Sequence, residues 1–341
     1  MNRTARLMPM PLALVRFAVV TAPSRLHFGM FSFGQPAVRQ FGGVGAMVDS
    51  PQLRLSIGPA EKFAVVGLHR ERTRRFAETV LANLRNERTI DFDVPLNALL
   101  EVHQAPREHV GLGLGTQLGL SVAAAVCAAL GLTRPSAIKL AGLAGRGARS
   151  AIGTHGFEQG GLLVEAGKLN SDTVSPLIAR IDIPAEWRFL LIIPRTTSGL
   201  AGGDEQQAFE RLPPVPPETT DRLLRETMLH MLPAAAAGDI DEFGASLYRF
   251  GHLAGSCFAA EQGGPFADER TAQIVAELRR IGVTGAGQSS WGPTVFALAE
   301  SQTAAESFRR CVQTWTDAAD YECLIAQPLN KRAVVEILGD D

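Results

Sequence analysis

Glycine at every second position marks the stretch of this chain with the clearest chemical meaning. In HVGLGLGTQLGLSVAAA, residues 109–125, Gly111, Gly113 and Gly115 stand directly ahead of Thr116, Gln117 and an apolar run. A glycine-rich loop entering a helix presents backbone N–H groups and the positive helix end, and both favour a phosphate. No Gly-Lys-Ser/Thr closes the loop, so it is not a P-loop. Thr116 occupies the third glycine position of the dinucleotide fingerprint, so it is not that either. The plainer alternative is a loop that lets a helix pack closely on a sheet.

Three further segments carry reactive side chains. TGAGQSSWGPTVFAL, residues 284–298, offers Ser289 and Ser290, but Trp291 fills the last glycine position of a Gly-x-Ser-x-Gly nucleophile elbow. Donors on a binding loop, or an ordinary turn before a strand, are the remaining choices. GRGARSAIGTHGFEQGGLLVEAG, residues 145–167, groups Arg146, Arg149, His155 and Glu158 in a glycine-rich stretch. Arginines hold phosphates through forked donors, and a carboxylate among them can bind a metal or act as a base. A solvated turn with a surface ion pair would look the same. In TAPSRLHFGMFSF, residues 21–33, Arg25 and His27 alternate with Leu26 and Phe28, so on a strand the two polar groups share one face.

The elements that must position these residues follow from periodicity. Strands are expected at 15–20, 25–31, 46–48, 53–57 and 99–102, and a helix at 71–86 through Phe76, Val80, Leu81 and Leu84. The glycine loop opens a helix near 117–130, and Pro135 starts another at 137–144. Strands at 160–166 and 174–183 close a first domain, expected over residues 15–185 after a loose tail at 1–14. A second domain, 186–341, begins with the apolar strand 189–193. Helices follow at 204–210, 221–232, 240–260, 270–281 and 304–315, with strands at 294–298, 321–326 and 333–338. Strands and helices in two such blocks give α+β layers.

Composition narrows the classes. The 341 residues are 46% hydrophobic and 20% charged, enough for a large core, and the net charge of −2 argues against a dedicated nucleic-acid binder. The four cysteines, Cys127, Cys257, Cys311 and Cys323, form no Cys-x-x-Cys pair, which fits reduced thiols in a cytoplasmic protein. The uncharged run 110–133 is long enough for a membrane span, yet its glycines, Thr116, Gln117 and Ser121 fit a soluble core helix better. No membrane association is expected.

Taken in order, the four segments resemble the GHMP kinase superfamily, named for galactokinase, homoserine, mevalonate and phosphomevalonate kinases. APSRLHFGMF stands at its first motif, GLGLGTQLG at its phosphate loop and TGAGQSSWGPTVFAL at its third motif, over about residues 15–338. The kinase loop continues Ser-Ser-Ala, whereas this one continues Thr116-Gln117-Leu118. The region of the kinase catalytic Asp is held here by HGFEQGG, with Glu158 as its carboxylate. The strings HVGLG-x-GTQL, GRG-x-RSAIGTHGFE-x-GG, SGLAGGDEQQAF, LPPVPPETT and GQSSWGPT resemble the non-kinase beta-ribofuranosylaminobenzene 5'-phosphate synthase family.

That resemblance implies a two-domain GHMP architecture, with a ribosomal-protein-S5-like first domain and a ferredoxin-like second. It implies a decarboxylating transfer of phosphoribose from phosphoribosyl pyrophosphate to 4-aminobenzoate or 4-hydroxybenzoate, toward tetrahydromethanopterin. Magnesium or another divalent cation is expected, with no organic cofactor, and a homodimer is compatible with it. The expected catalytic residues are Glu158, His27 and Arg149, with Glu158 also the metal ligand. Arg25, Gly111, Gly113, Gly115, Thr116, Gln117, Arg146, His155, Ser289, Ser290 and Trp291 are expected to bind phosphate or substrate. An ATP-dependent small-molecule kinase and a non-catalytic binding homologue are the alternatives.

Overall fold

Alternating apolar residues at both ends of the first motif produce one long strand rather than two short ones. β1 (Phe17–Met30) pairs antiparallel with β2 (Gly43–Pro59), with register shifts at Ala22/Ser24 and His27/Gly29. The second shift falls on the His27 segment, and an irregularity of this kind re-aims the side chains beside it. The structure, a computed structural model, describes residues 15–35, 37–90, 96–169, 172–196, 199 and 202–338. The expected tail at 1–14 lies outside the described residues.

The first domain continues with β3 (Ala64–Gly67), α1 (Arg70–Asn86), β4 (Ala98–Gln104), α2 (Leu114–Ala129) and α3 (Ala137–Leu143). It ends with α4 (Ile152–Gln159), β5 (Leu162–Glu165) and β6 (Leu177–Ile181). β4 and β5 both pair with β2, β3 with β4, and β6 with β5. Every residue of α2 except Gly115 and Thr116 is buried, because sheet and neighbouring helices enclose it on all sides. A helix apolar all round belongs in a core, which explains its membrane-like composition. Among the described residues no helix is long and apolar enough to cross a membrane.

α4 departs from the sequence expectation, which gave only a glycine-rich stretch leading into a strand there. Its two glycines oppose helix formation locally, but tertiary packing needs them. A Cβ on Gly156 would lie 2.2 Å from the Met47 sulfur.

The second domain holds β7 (Arg188–Pro194), α5 (Gly202–Arg211) and α6 (Pro217–Glu226), which runs through a π-helical turn at Thr227–Met231 into α7 (Leu232–Ala237). Then come α8 (Ile240–Ser256), α9 (Ala259–Gln262), α10 (Glu269–Arg280), β8 (Ala286–Gln288), β9 (Val295–Ala299), α11 (Gln302–Gln313), β10 (Tyr321–Ala326) and β11 (Val334–Leu338). The second sheet is antiparallel in the order β10-β7-β9-β8. Phe189, Leu191 and Ile193 of β7 face a core with Phe243, Leu247 and Phe250 of α8, while Leu190 and Ile192 face Ile274 and Leu278 of α10. Burial on both faces is why this strand reads as an unbroken apolar run.

The expected boundary needs one correction. β11 does not belong with the second sheet: it pairs antiparallel with β1, from Phe17↔Leu338 to Thr21↔Val334. Its alternation marks it as a strand but says nothing about its partner.

Candidate active site

The glycine loop is braced from two sides. The Arg25 amide donates to the Leu112 carbonyl at 3.0 Å, tying β1 to the loop. On the other side Thr294 Oγ1 donates to the Val110 carbonyl at 2.5 Å, and Ser289 Oγ donates to the Gly111 carbonyl at 2.8 Å. Ser289 Oγ also accepts from the His27 amide at 3.1 Å, and the Ser290 amide donates to the His27 carbonyl at 2.9 Å. These bonds hold the first motif, the glycine loop and the 284–298 segment together.

Gly113 is the N-cap of α2, at φ 74°, with no side-chain cap and no acidic residue in the first turn. A helix start left in this state offers its amides to an anion. Three guanidinium groups converge there. A Cβ on Gly115 would lie 2.5 Å from an Arg72 terminal nitrogen and 3.5 Å from one of Arg146. A Cβ on Gly113 would lie 3.2 Å from Arg25 Nε. Arg146 also donates to Thr116 Oγ1 at 3.5 Å. The buried Nε atoms of Arg25 and Arg146 have no hydrogen-bond partner among the described residues.

Two carboxylates complete the cluster. Glu205 of α5 accepts from Arg149 at 2.6 Å through one oxygen and from the Trp291 indole at 3.1 Å through the other. Glu165 of β5 is fully buried and accepts from Ser150 Oγ at 2.6 Å and the Ala151 amide at 2.7 Å. Burial raises its pKa to about 7, against the lowering effect of those bonds and of Arg25. Burial lowers Arg25 to about 10, with Glu205 and Glu165 opposing and Arg146 assisting. Arg146 is lowered by burial and by its neighbours Arg72 and Arg149. His27 is lowered well below its ordinary value by burial and by Arg25, so its ring is neutral at pH 7. Four arginines crowded against two carboxylates favour the entry of a polyanion.

Residues 231–317 match the family described as GHMP kinases C terminal. Over 302 residues the chain is 30% identical to a beta-ribofuranosylphenol 5'-phosphate synthase of Methanothermobacter thermautotrophicus, covering 83% of this chain and 89% of that one. The chain belongs to the beta-ribofuranosylphenol 5'-phosphate synthase family. A second synthase of this name, from Archaeoglobus fulgidus, is 29% identical over 335 residues, covering 92% and 98% of the two chains. A solved homoserine kinase from Cytophaga hutchinsonii superposes with a TM-score of 0.65 at 15% identity, over 97% of this chain and 100% of that one. That likeness shows the GHMP fold.

In this member of the synthase family, the cluster gathers Arg25, His27, Gly113, Gly115, Thr116, Arg146, Arg149, Ser290 and Trp291 from the expected set. Others are placed elsewhere. Glu158, expected as catalyst and metal ligand, turns away: its carboxylate accepts from the Ala137 amide at 2.5 Å, at the start of α3. It borders an apolar pocket with Phe157, Leu132 and Val335 instead of the glycine loop. The helical form of 152–159 is the physical reason, because it directs this side chain to the far face. His155 is corrected as well. It is buried, its Nε2 is 2.7 Å from the Ser175 carbonyl, and burial lowers its pKa. Ser289 is fully buried with its hydroxyl committed on both sides, so it braces the loop instead of meeting substrate. Gly111 and Gln117 also brace: a Cβ on Gly111 would meet the Ser289 carbonyl at 2.4 Å, and Gln117 Nε2 donates to the Gly153 carbonyl at 2.9 Å.

Three members of the cluster escaped sequence reasoning. Arg72 sits among other charges at the start of α1, where nothing separates it from a solvated face. Glu205 lies in the string SGLAGGDEQQAF without a motif of its own. Glu165 carried a usable signal, a lone carboxylate inside the apolar strand LLVEAG.

The synthase cluster does not form a protein cage for magnesium. Glu205 and Glu165 have both oxygens engaged, and Glu158 is elsewhere. Among the described residues the one group of three metal-capable side chains is Glu226, His230 and Glu242, where Arg249 already bonds both carboxylates.

Proposed function

We propose that this protein joins phosphoribosyl pyrophosphate to a 4-substituted benzoate, releasing carbon dioxide and pyrophosphate and leaving a C-riboside 5'-phosphate. The observation that carries this is the convergence of Arg25, Arg72 and Arg146 on the uncapped start of α2. Pyrophosphate leaves the anomeric carbon with the C–O electron pair, and the ribose becomes oxocarbenium-like. The ring carbon bearing the carboxylate attacks that centre. The bond to the carboxylate then breaks, carbon dioxide departs, and its electron pair restores the aromatic ring.

No protein nucleophile and no net proton transfer are needed, which matches a site built from cations, amides and a neutral histidine. The three arginines and the α2 amides stabilise charge that grows on the departing oxygen. Trp291, packed edge-on at 4.7 Å to Phe258 and 5.5 Å to Phe209, walls the site against water. A magnesium ion would be held chiefly by the phosphate oxygens of the donor, where it would add positive charge beside the departing pyrophosphate to that of the arginines.

The phenol in the relatives' name supports 4-hydroxybenzoate over 4-aminobenzoate as acceptor. The product belongs to the assembly of tetrahydromethanopterin-type carriers, in the cytoplasm. The test incubates the protein with phosphoribosyl pyrophosphate, magnesium and carboxyl-labelled 4-hydroxybenzoate, and traps carbon dioxide. Release that needs the donor and ignores ATP is the expected result. ATP-dependent phosphorylation of an alcohol, or ligand binding without turnover, would refute it.

A further inference from the structure

A second cavity opens beside the arginine cluster and shares His27, Ser290 and Trp291 with it. Its free space is about 480 Å³ when the solvent at its open mouth is included. Phe28, Phe258, Phe266 and Trp291 supply aromatic walls, and α8 contributes a floor of small residues, Gly251, Ala254 and Gly255. Two polar atoms in its lining, His27 Nε2 and Gln262 Oε1, are buried without a hydrogen-bond partner among the described residues. Unpaired buried polar atoms are costly unless a ligand satisfies them. Gln288, by contrast, is fully engaged with the Ala267 amide and the Ser290 carbonyl.

From this geometry we infer that the cavity is the subsite for the aromatic acceptor, and that Gln262 Oε1 receives the hydrogen bond of its 4-hydroxyl. The inference rests on the reaction proposed above. The reacting ring carbon must meet the anomeric carbon beside the arginines, so the carboxylate end lies at His27 and Ser290. The 4-substituent then turns toward the end of α9, where Gln262 stands. The placement has a chemical consequence. As the ring attacks the ribose it becomes cationic, and electron release from the para oxygen offsets that charge. An acceptor on the hydroxyl proton strengthens this release, so Gln262 selects the acceptor and also raises its nucleophilicity. An acceptor whose para group has no proton to donate leaves Gln262 Oε1 unpaired.

Two variants and two probes test the assignment. Gln262→Leu keeps bulk and removes the acceptor oxygen. Gly251→Leu fills the cavity from a position where a Cβ meets nothing closer than the Phe28 carbonyl at 3.8 Å, and Gly251→Ala serves as its folding control. Calorimetric titration should show wild type preferring 4-hydroxybenzoate to 4-methoxybenzoate by roughly tenfold. Gln262→Leu should erase that preference, and Gly251→Leu should weaken both ligands by at least about tenfold. In turnover assays the donor KM should stay within about twofold in each variant. If wild type releases carbon dioxide while Gln262→Leu keeps the preference, or Gly251→Leu binds normally, the subsite is wrong and the reaction stands. If wild type releases none, the reaction falls and the subsite with it.

Discussion

The Trp291 indole N–H and the Arg149 guanidinium take opposite oxygens of one carboxylate, with Trp291 Nε1 3.1 Å from Glu205 Oε1 and Arg149 2.6 Å from Oε2. Glu205 thereby joins the wall of the aromatic cavity to the cluster of cations that faces the α2 amides. Arg149 is also stacked 5.3 Å from the Phe209 ring centroid, so the carboxylate is held from both sides.

This linkage predicts non-additivity. Trp291→Phe keeps an aromatic ring and removes the donor, and Glu205→Gln keeps shape and removes the charge. Each should lower kcat/KM for the donor by roughly tenfold, as expected for one lost charge-assisted bond. The double variant should be no worse than the poorer single one, because both break the same link. Additive losses in steady-state kinetics would show that the two residues act separately.

Arg72 should matter as much as the arginines that sequence motifs expose. Arg72→Gln is expected to raise the donor KM by about tenfold or more and to leave the acceptor KM unchanged. Pyrophosphate titration should show the same loss together with a weaker salt dependence. A donor KM equal to wild type would make Arg72 only a partner of Glu108, which it meets at 3.3 Å.

Glu158 should prove a matter of stability alone. Its carboxylate accepts a hydrogen bond from the first amide of α3, so Glu158→Ala is expected to cost about 0.5–2 kcal/mol of folding stability with turnover per folded molecule intact. Chemical denaturation and a magnesium titration of activity check both halves. A large loss of turnover in a stable variant would return Glu158 to the catalytic set.

Glu165 sets a pH dependence of stability. Its folded pKa, raised to about 7 chiefly by burial, exceeds the ordinary 4.5. The folded state therefore holds a proton that the unfolded chain has released between these values. Its contribution is full below about 4.5, declines as pH rises, and is lost above about 7. Denaturation midpoints measured across that window should fall with pH more steeply in wild type than in Glu165→Gln. Parallel curves would mean that the carboxyl titrates alike in both states.

Much of the fold was legible because burial writes itself into residue type. β7 is apolar throughout since both its faces are covered, and the glycine spacing before α2 marked a close approach that the arginines now explain. α4 was not legible, because Gly153 and Gly156 look like loop residues until Met47, Thr116 and Gln117 are seen against them. Glu158 was expected from its place in HGFEQGG, where the resembling kinases keep a catalytic acid, and from the arginines near it in sequence; the helix instead carries its carboxylate to the Ala137 amide. Gln262 was invisible for another reason, since an amide on a short surface helix acquires meaning only from the cavity it borders.

The pairing of β11 with β1 bears on how the molecule is made. A ribosome releases β1 first and β11 only after the whole second sheet, so the outer edge of β1 waits bare through most of synthesis. Such an edge is a template for strands of other chains. Shortening the protein at the crossover between its sheets would keep that edge open permanently. The first block of sequence is therefore expected to need β11 to cover its sheet, and a stop before residue 334 should yield aggregates in place of a smaller folded protein.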